Sequence, residues 1–350
     1  MAYQNVGTPR FYVDIFQWLK SQGMLSISSS QWETENLSSL IGINPTEQIE
    51  LIPSSGNTDI GFNDTIVYNI GQGNLWKEIM PDDKNFFMAL GHNFKSAKAS
   101  IYLQEHTGTY DNLAKVGLIN YQYGASNSTI ENDGFSISIG NDAHDVDTHM
   151  IKFRIDCLDS SSSQQAVDYA TNPKIGSLLY GNYYDMPHSP DLSLKLSFEY
   201  DGVNTVQTKG GATLSNASYT KPADWGDGGA WQLGQDEEGN PVDNLRSGRR
   251  VWDLSFSYIS DSDLMPMVAA NSNIGADAND TTLLDGSDFF SMVWNRTLGG
   301  HLPFIFQANG SNSDPAPDQF SICRFDMDSL QYDQVAYNTY NVKLKIREVW

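Results

Sequence analysis

Three stretches of this chain alternate apolar and polar residues with a period of two, and no other feature narrows the fold as much. In Arg249–Ser260, "RRVWDLSFSYIS", Trp252, Leu254, Phe256 and Tyr258 fall on one side and Val251, Asp253, Ser255 and Ser257 on the other. In Gly134–Gly140, "GFSISIG", Phe135, Ile137 and Ile139 alternate with Ser136 and Ser138. In Tyr340–Trp350, "YNVKLKIREVW", Val342, Leu344 and Ile346 alternate with Lys343, Lys345 and Arg347. Successive side chains of an extended strand point to opposite faces, so each stretch predicts a strand with one buried face. "HMIKFRIDCLD" (149–159) and "LSLKLSFEYDG" (192–202) repeat the pattern, and "KNFFMALGHN" (84–93), "ASIYLQ" (99–104) and "KIGSLLYGNYYDMP" (174–187) read as further strands. Short strands separated by turn residues imply antiparallel sandwich packing.

Helical signal is confined to "PRFYVDIFQWLKSQG" (9–23), where Phe11, Ile15, Trp18 and Leu19 fall near helical spacing and Gly23 is a natural stop. "FYVDIF" within it also alternates like a strand. The expected class is therefore all-β: two antiparallel β-sandwich domains preceded by an N-terminal arm that contains a short helix. The arm covers 1–57, the first sandwich 58–200 and the second 201–350. Residues 203–245 read as loop-heavy, with Gly210-Gly211, Pro222 and "GDGGA" (226–230) as punctuation.

Charge narrows the partners. Lys and Arg number 21 against 43 Asp and Glu, a formal net charge of -22. A surface this acidic repels phosphate backbones and anionic lipid, so neither nucleic acid nor membrane is an expected partner. The first ten residues lack the charged start and apolar core of a secretory signal, which points to synthesis in a cytoplasm. The two cysteines, Cys157 and Cys323, lie far apart in apolar stretches and read as buried free thiols.

The chemistry-bearing residues form no familiar pattern. No phosphate-binding loop, dinucleotide fingerprint or nucleophile elbow is present, and no catalytic residue is assigned. "NDAHDVDTHM" (141–150) mixes acids with His144 and His149, but a spacing of five sends two strand side chains to opposite faces. "DANDTTLLDGSD" (277–288) lacks the regular ligand spacing of a calcium loop, which leaves room for a weak loop-bound calcium and for no other cofactor. Gly91-His92-Asn93 stops one strand before another begins and reads as either a reactive site or a bend. Trp225 and Trp231 sit in Gly/Asp-rich sequence and are the candidates for stacking on a sugar ring.

Asn85–Ser100, with its "ALGHN" followed by a Ser/Ala-rich turn and a second strand, resembles a feature of galactose-binding-like β-sandwiches in structural proteins of tailed bacteriophages. "KIGSLLYGNYYDMP" is similar to a later strand of that module, so the resemblance covers about residues 58–200. "TKGGATLSNASYTKPADWG" (208–226), "GRRVWDLSFSYISDSDL" (248–264), "NRTLGGHLPFIFQ" (295–307) and the terminal "LKIREVW" resemble minor-tail or distal-tail-like virion proteins. The resemblance implies that Gly91, His92 and Asn93 form a structural corner and that the protein is a non-enzymatic virion component. It implies a homo-oligomeric ring that contacts other tail proteins or fibres. Such a ring needs one patch of a subunit to meet a different patch of the next. The arm, with Phe11 and Trp18, and the terminal strand, with Leu344 and Ile346, are the expected inter-subunit elements. The basic row of that strand pairs either with acids of its own chain or with an acidic neighbour. The alternative is a carbohydrate- or receptor-binding appendage that recognises a cell-surface glycan, since galactose-binding-like folds host many sugar binders.

Overall fold

The computed structural model describes residues 6–29, 37–51, 64–69, 79, 84–97, 99–105, 114–116, 121–122, 133–140, 150–157, 173–199, 203–217, 225, 234–235, 241–242, 248–270, 277, 279–312 and 317–349. In chain order the first strands are β1 (Arg10–Asp14), β2 (Ser26–Ser29), β3 (Ile49–Glu50), β4 (Asp64–Asn69), β5 (Asn85–Leu90), β6 (Ala99–Glu105), β7 (Ala114–Val116) and β8 (Tyr121–Gln122). Next come β9 (Phe135–Gly140), β10 (Met150–Cys157), β11 (Lys174–Ile175), β12 (Ser177–Asp185), β13 (Lys195–Glu199), β14 (Val203–Gln207) and β15 (Thr213–Ala217). The last are β16 (Gly234–Gln235), β17 (Pro241–Val242), β18 (Arg249–Ser260), β19 (Phe304–Gln307), β20 (Phe320–Phe325), β21 (Tyr332–Ala336) and β22 (Thr339–Glu348). A helix of two turns, α1 (Ile15–Ser21), follows β1 directly.

The class is all-β. Eleven strands form one large sheet in the order β13-β18-β22-β20-β19-β1-β12-β5-β9-β8, with β21 paired to β22. Neighbours are antiparallel along the path except β8 and β9, which are parallel. A second sheet has five strands in the order β2-β4-β10-β6-β7.

Position in the large sheet follows from sequence pattern. Strands buried on both faces need apolar residues at nearly every position, whereas strands with one wet face alternate. In β5, "NFFMAL", every residue is buried. Its Phe87 and Ala89 join Leu178 and Tyr180 of β12, the α1 residues Ile15, Phe16 and Leu19, and Phe153 of β10 in one core cluster. Phe153 stacks on Phe87 at a centroid distance of 4.7 Å, and this contact ties the five-stranded sheet to the large one. On the opposite face Phe86, Met88 and Leu90 meet Tyr12, Phe135, Ile137 and Ile305. The alternating strands β18 and β22 lie toward the other end. They turn Trp252, Leu254, Phe256, Val342, Leu344 and Ile346 into a third cluster with Phe11, Phe304 and Phe306. A π-type helical turn, Phe290–Asn295, lays Met292 and Val293 against that cluster.

Three expectations are corrected. Residues 10–14 do not belong to a connecting arm: β1 sits inside the large sheet between β12 and β19, paired to both. The sheet also runs through the boundary expected near residue 200, because β1, β5, β9 and β12 share it with β18 to β22. Both readings of residues 9–23 hold in succession, strand and then helix. Asp14 makes the change: its Oδ1 accepts the Phe16 backbone N–H at 3.1 Å and so caps α1. The same oxygen accepts the Tyr180 N–H of β12 at 3.3 Å. Finally, Tyr258 leaves the apolar row of β18. The pairing with β22 slips between Phe256 and Ile259, Tyr258 takes φ +63°, and Ile259 moves into the core position in its place.

Buried polar groups fix how the strands register. The Arg250 guanidinium holds the Glu348 carboxylate through Nε at 3.2 Å and Nη2 at 3.1 Å, with both side chains below 5% exposed. Arg250 also donates to the Asp318 carbonyl and the Ser321 hydroxyl, so one side chain links β18, β20 and β22. Asn182 of β12 donates to Asn85 of β5 at 2.5 Å and accepts from buried Arg296 at 3.3 Å. Arg296 further donates to the Ile79 and Leu284 carbonyls, and burial pushes its guanidinium down to about 10.

Removing one member of a buried pair strands the other charge in a poorly solvating site. Glu348→Ala is therefore expected to cost about 3–5 kcal/mol in urea unfolding, while the paired apolar change Arg250→Met/Glu348→Leu costs less than the single substitution.

Candidate functional site

The Gly91-His92-Asn93 corner lies where β5 ends. Gly91 adopts φ +63°, and a Cβ there would fall 1.9 Å from the Pro45 carbonyl oxygen. Only glycine accommodates both the left-handed conformation and that approach. The turn is held from three sides. Gly91 N–H donates to Gly134 O and Gly134 N–H donates to His92 O, each at 2.6 Å. The Gln48 side-chain amide donates to Gly91 O at 2.8 Å. Asn93 Oδ1 accepts the Lys174 N–H at 2.6 Å.

His92 itself is 2% exposed and stacks on Phe94 at 4.6 Å. The Phe94 backbone N–H donates to Nδ1 at 3.3 Å, so the ring proton sits on Nε2 and is donated to Ser136 Oγ at 2.9 Å. Burial holds the imidazole down to about 4, against a weaker opposing pull from Asp133. The ring is neutral and both nitrogens are engaged. The arrangement joins the end of β5 to β9, to the 45–48 segment and to the start of β11. It gives the histidine a part in geometry and leaves no lone pair for a proton transfer.

The other predicted residues are placed as follows. Trp225 is 5% exposed and packs on Phe135 at 4.6 Å, so it is a core residue and not a sugar platform. Trp231 lies outside the described residues. Phe11, Leu344 and Ile346 are fully buried in the chain's own core and offer no side chain to a neighbour. Trp18 is half-buried against the α1 cluster. Cys323 is fully buried in the cluster formed by β18 and β22. The side chain of Cys157 lies outside the described residues, as do His144 and His149. In the 277–288 segment the acids act locally. Asp285 Oδ1 accepts from Thr282 N–H and Oγ at 2.6 Å, and Asp288 holds Ser291. Among the described residues, no three His, Cys, Asp or Glu side chains converge as a metal site would require.

The basic row of β22 meets acids of its own chain. Arg347 reaches Glu199 of β13 at 2.9 Å and Lys345 reaches Asp326 at 2.6 Å. Asp253 of β18 lies opposite Lys345. All four partners of the two ion pairs are more than a third exposed, so these pairs order the surface more than they stabilise it.

Three surface features escape the sequence pattern or are read wrongly from it. Tyr258, expected in the core, is 76% exposed, and Tyr337 at the β21–β22 turn is 89% exposed. Tyr258 N–H donates to the Asn341 side chain at 3.0 Å, and Asp261 N–H to Asn338 O at 3.1 Å, which sets the bulge beside the turn. β13 ends the large sheet, paired on one side with β18, and carries Phe198 at 42% exposure. β14 and β15 form a separate two-stranded ribbon. A signal for the ribbon was present: "VNTVQ" and "TLSNA" flank a Gly-Gly turn.

Comparison with protein-family models, with curated proteins and with solved structures gave no match in any of the three.

Two buried groups make opposite pH dependences. Burial pushes Asp14 up to about 7 from its ordinary 3.8, so folding takes up a proton between those values, and the charged form destabilises as pH rises. His92, held to about 4, leaves the unfolded chain to bind the proton as pH falls from 6.5, so folding weakens toward acid. The two effects oppose each other between about pH 4 and 7. Substituting one residue exposes the other: Asp14→Asn is expected to lose stability as pH falls through that window. His92→Gln is expected to gain it, each by up to about 3 kcal/mol in denaturant melts at pH 4.5 and 7. Parallel pH profiles for the two variants would contradict these assignments.

Proposed function

We propose that this chain is a structural subunit of a tailed-bacteriophage virion, a distal-tail, minor-tail or adaptor component. It is made in the host cytoplasm, assembles into a homo-oligomeric ring and contacts other tail proteins or fibres. The sequence resemblance of residues 58–200 and of the later strands to such proteins motivates the reading. The observation that carries it is the end of the large sheet. β13 pairs with β18 along one edge and presents, past the cover of the core, the half-exposed ring of Phe198. A strand edge with backbone donors and acceptors and an apolar side chain is a template for a further strand, and proteins that do not use such edges blunt them. β21 offers a second edge, paired to β22 and bearing Val335 at 44% exposure. Two different edges on one subunit are what a head-to-tail ring needs. The buried histidine, aspartate and arginines described above serve strand geometry, in keeping with a building block.

The test is the solution mass. Light scattering behind a sizing column is expected to give a discrete multiple of 38.9 kDa. Phe198→Glu, at an exposed position, is expected to keep the melting profile of the parent and lower that mass. A parent chain that stays monomeric at all concentrations sinks the homo-oligomeric ring.

One observation favours the carbohydrate- or receptor-binding reading. Tyr258 and Tyr337 stand exposed beside Asn338 and Asn341, and Tyr258 holds a positive φ that a bulky residue adopts at a cost of about 1–3 kcal/mol. Aromatic faces flanked by amide side chains suit a sugar. On this reading, titration with purified surface polysaccharides finds a binder, and Tyr258→Ala and Tyr337→Ala each weaken it at least about tenfold. Unchanged binding in both variants removes the tyrosines from any such site.

A further inference from the structure

The ribbon of β14 and β15 is specified by its own chain. Its strands pair from Val203 opposite Ala217 to Gln207 opposite Thr213. The turn is closed by Thr208 N–H to Ala212 O at 2.9 Å and Gly211 N–H to Thr208 O at 2.9 Å, with Gly211 at φ +83°. The Ala212 N–H also donates to the Thr208 hydroxyl at 3.1 Å. These bonds supply the register that packing supplies elsewhere.

Packing is what the described side chains of the ribbon lack. Every side chain from Thr205 to Leu214 is exposed. Val206 and Leu214 lie directly opposite each other, at 64% and 60% exposure. An isolated two-stranded ribbon is at best marginally stable in water, and an apolar cross-strand pair left wet contributes little to holding it. The ribbon's shape and its exposed pair therefore fit an element that is completed by contact.

Charge selects the partner. Val203–Ala217 contains no acidic residue and one basic residue, Lys209 at the tip, in a chain of net charge -22. Two copies of this chain repel each other over most of their surfaces, and a segment of positive charge is attracted where the rest is repelled. We propose that residues 203–217 form an arm that docks on a second copy of this chain. Val206 and Leu214 are buried at the contact, and Lys209 is set against the neighbour's acidic surface. This rests on the assembly reading above and names the element that makes the contact.

The experiment compares the full chain with Val206→Ser/Leu214→Ser and with Lys209→Glu, by light scattering across a range of concentrations and at two salt levels. All three positions are exposed, so unchanged melting curves are expected and serve as the control for folding. The double variant is expected to weaken self-association at least about tenfold. Lys209→Glu is expected to weaken it more at low salt than at high salt. If the double variant associates as the parent does while Phe198→Glu dissociates, the arm is wrong and the assembly reading stands. If the parent is monomeric throughout, or gains mass only when another particle protein is added, self-docking is overturned.

Discussion

Burial of β1 on both faces is the constraint on which the remaining structure depends. Phe11 and Val13 enter one core cluster and Tyr12 enters another across the sheet. The backbone of all five residues pairs with β12, and that of Arg10, Phe11 and Tyr12 pairs with β19 as well. The two halves of the large sheet thus meet along one short strand. Asp14, at its end, turns the chain into α1 and bonds to β12, so the helix that covers the adjoining cluster is placed by the same residue. A strand in this position tolerates neither a polar insertion nor a slip in register, because a shift of one residue exchanges the contents of the two clusters.

Much of the outer sheet was legible. β18 and β22 alternate plainly, because a half-buried strand writes its environment into its sequence. β9 alternates as plainly, yet its Ser136 and Ser138 are buried along with Phe135 and Ile137, so the expected wet face is covered. The central strands write less. "FYVD" and "FIFQ" are short apolar runs, and such runs fit a buried strand or a helix equally well. β1 was therefore read as part of an arm. Tyr258 was misplaced because a bulge changes phase without changing composition. Trp225 was misread because Gly/Asp-rich neighbours suggest a wet loop, whereas the ring itself fills a gap beside Phe135. His92 illustrates the limit for sites. Its neighbours in sequence fix a bend, but the partners that engage its two nitrogens, Phe94 N–H and Ser136, include one that comes from a strand more than forty residues away.

The polar groups inside the molecule follow one logic. Arg250 with Glu348, Asn85 with Asn182, and Arg296 with the Ile79 carbonyl each join segments distant in the chain. Apolar contacts along flat sheet faces are permissive about sliding, and directional bonds are not. Such groups add less to stability than to uniqueness, since an alternative register would leave each of them buried without a partner. The surface divides differently. Ion pairs lie along the outer face of β22, while Phe198 of the end strand β13, Tyr258 at the bulge and Val206 and Leu214 of the ribbon are among the apolar groups that meet water.

The central place of β1 also sets an order of events in time. Tyr12 leaves the ribosome long before its partners across the strand pairs, Tyr183 and Ile305. Until those segments have been made, the strand has nothing to pair with in its own chain. Contacts of such long sequence separation are slow to form. The growing polypeptide must carry an apolar β-strand without these partners until β12 and β19 have been made, which is the circumstance in which chains of this kind need a chaperone or bind one another in error.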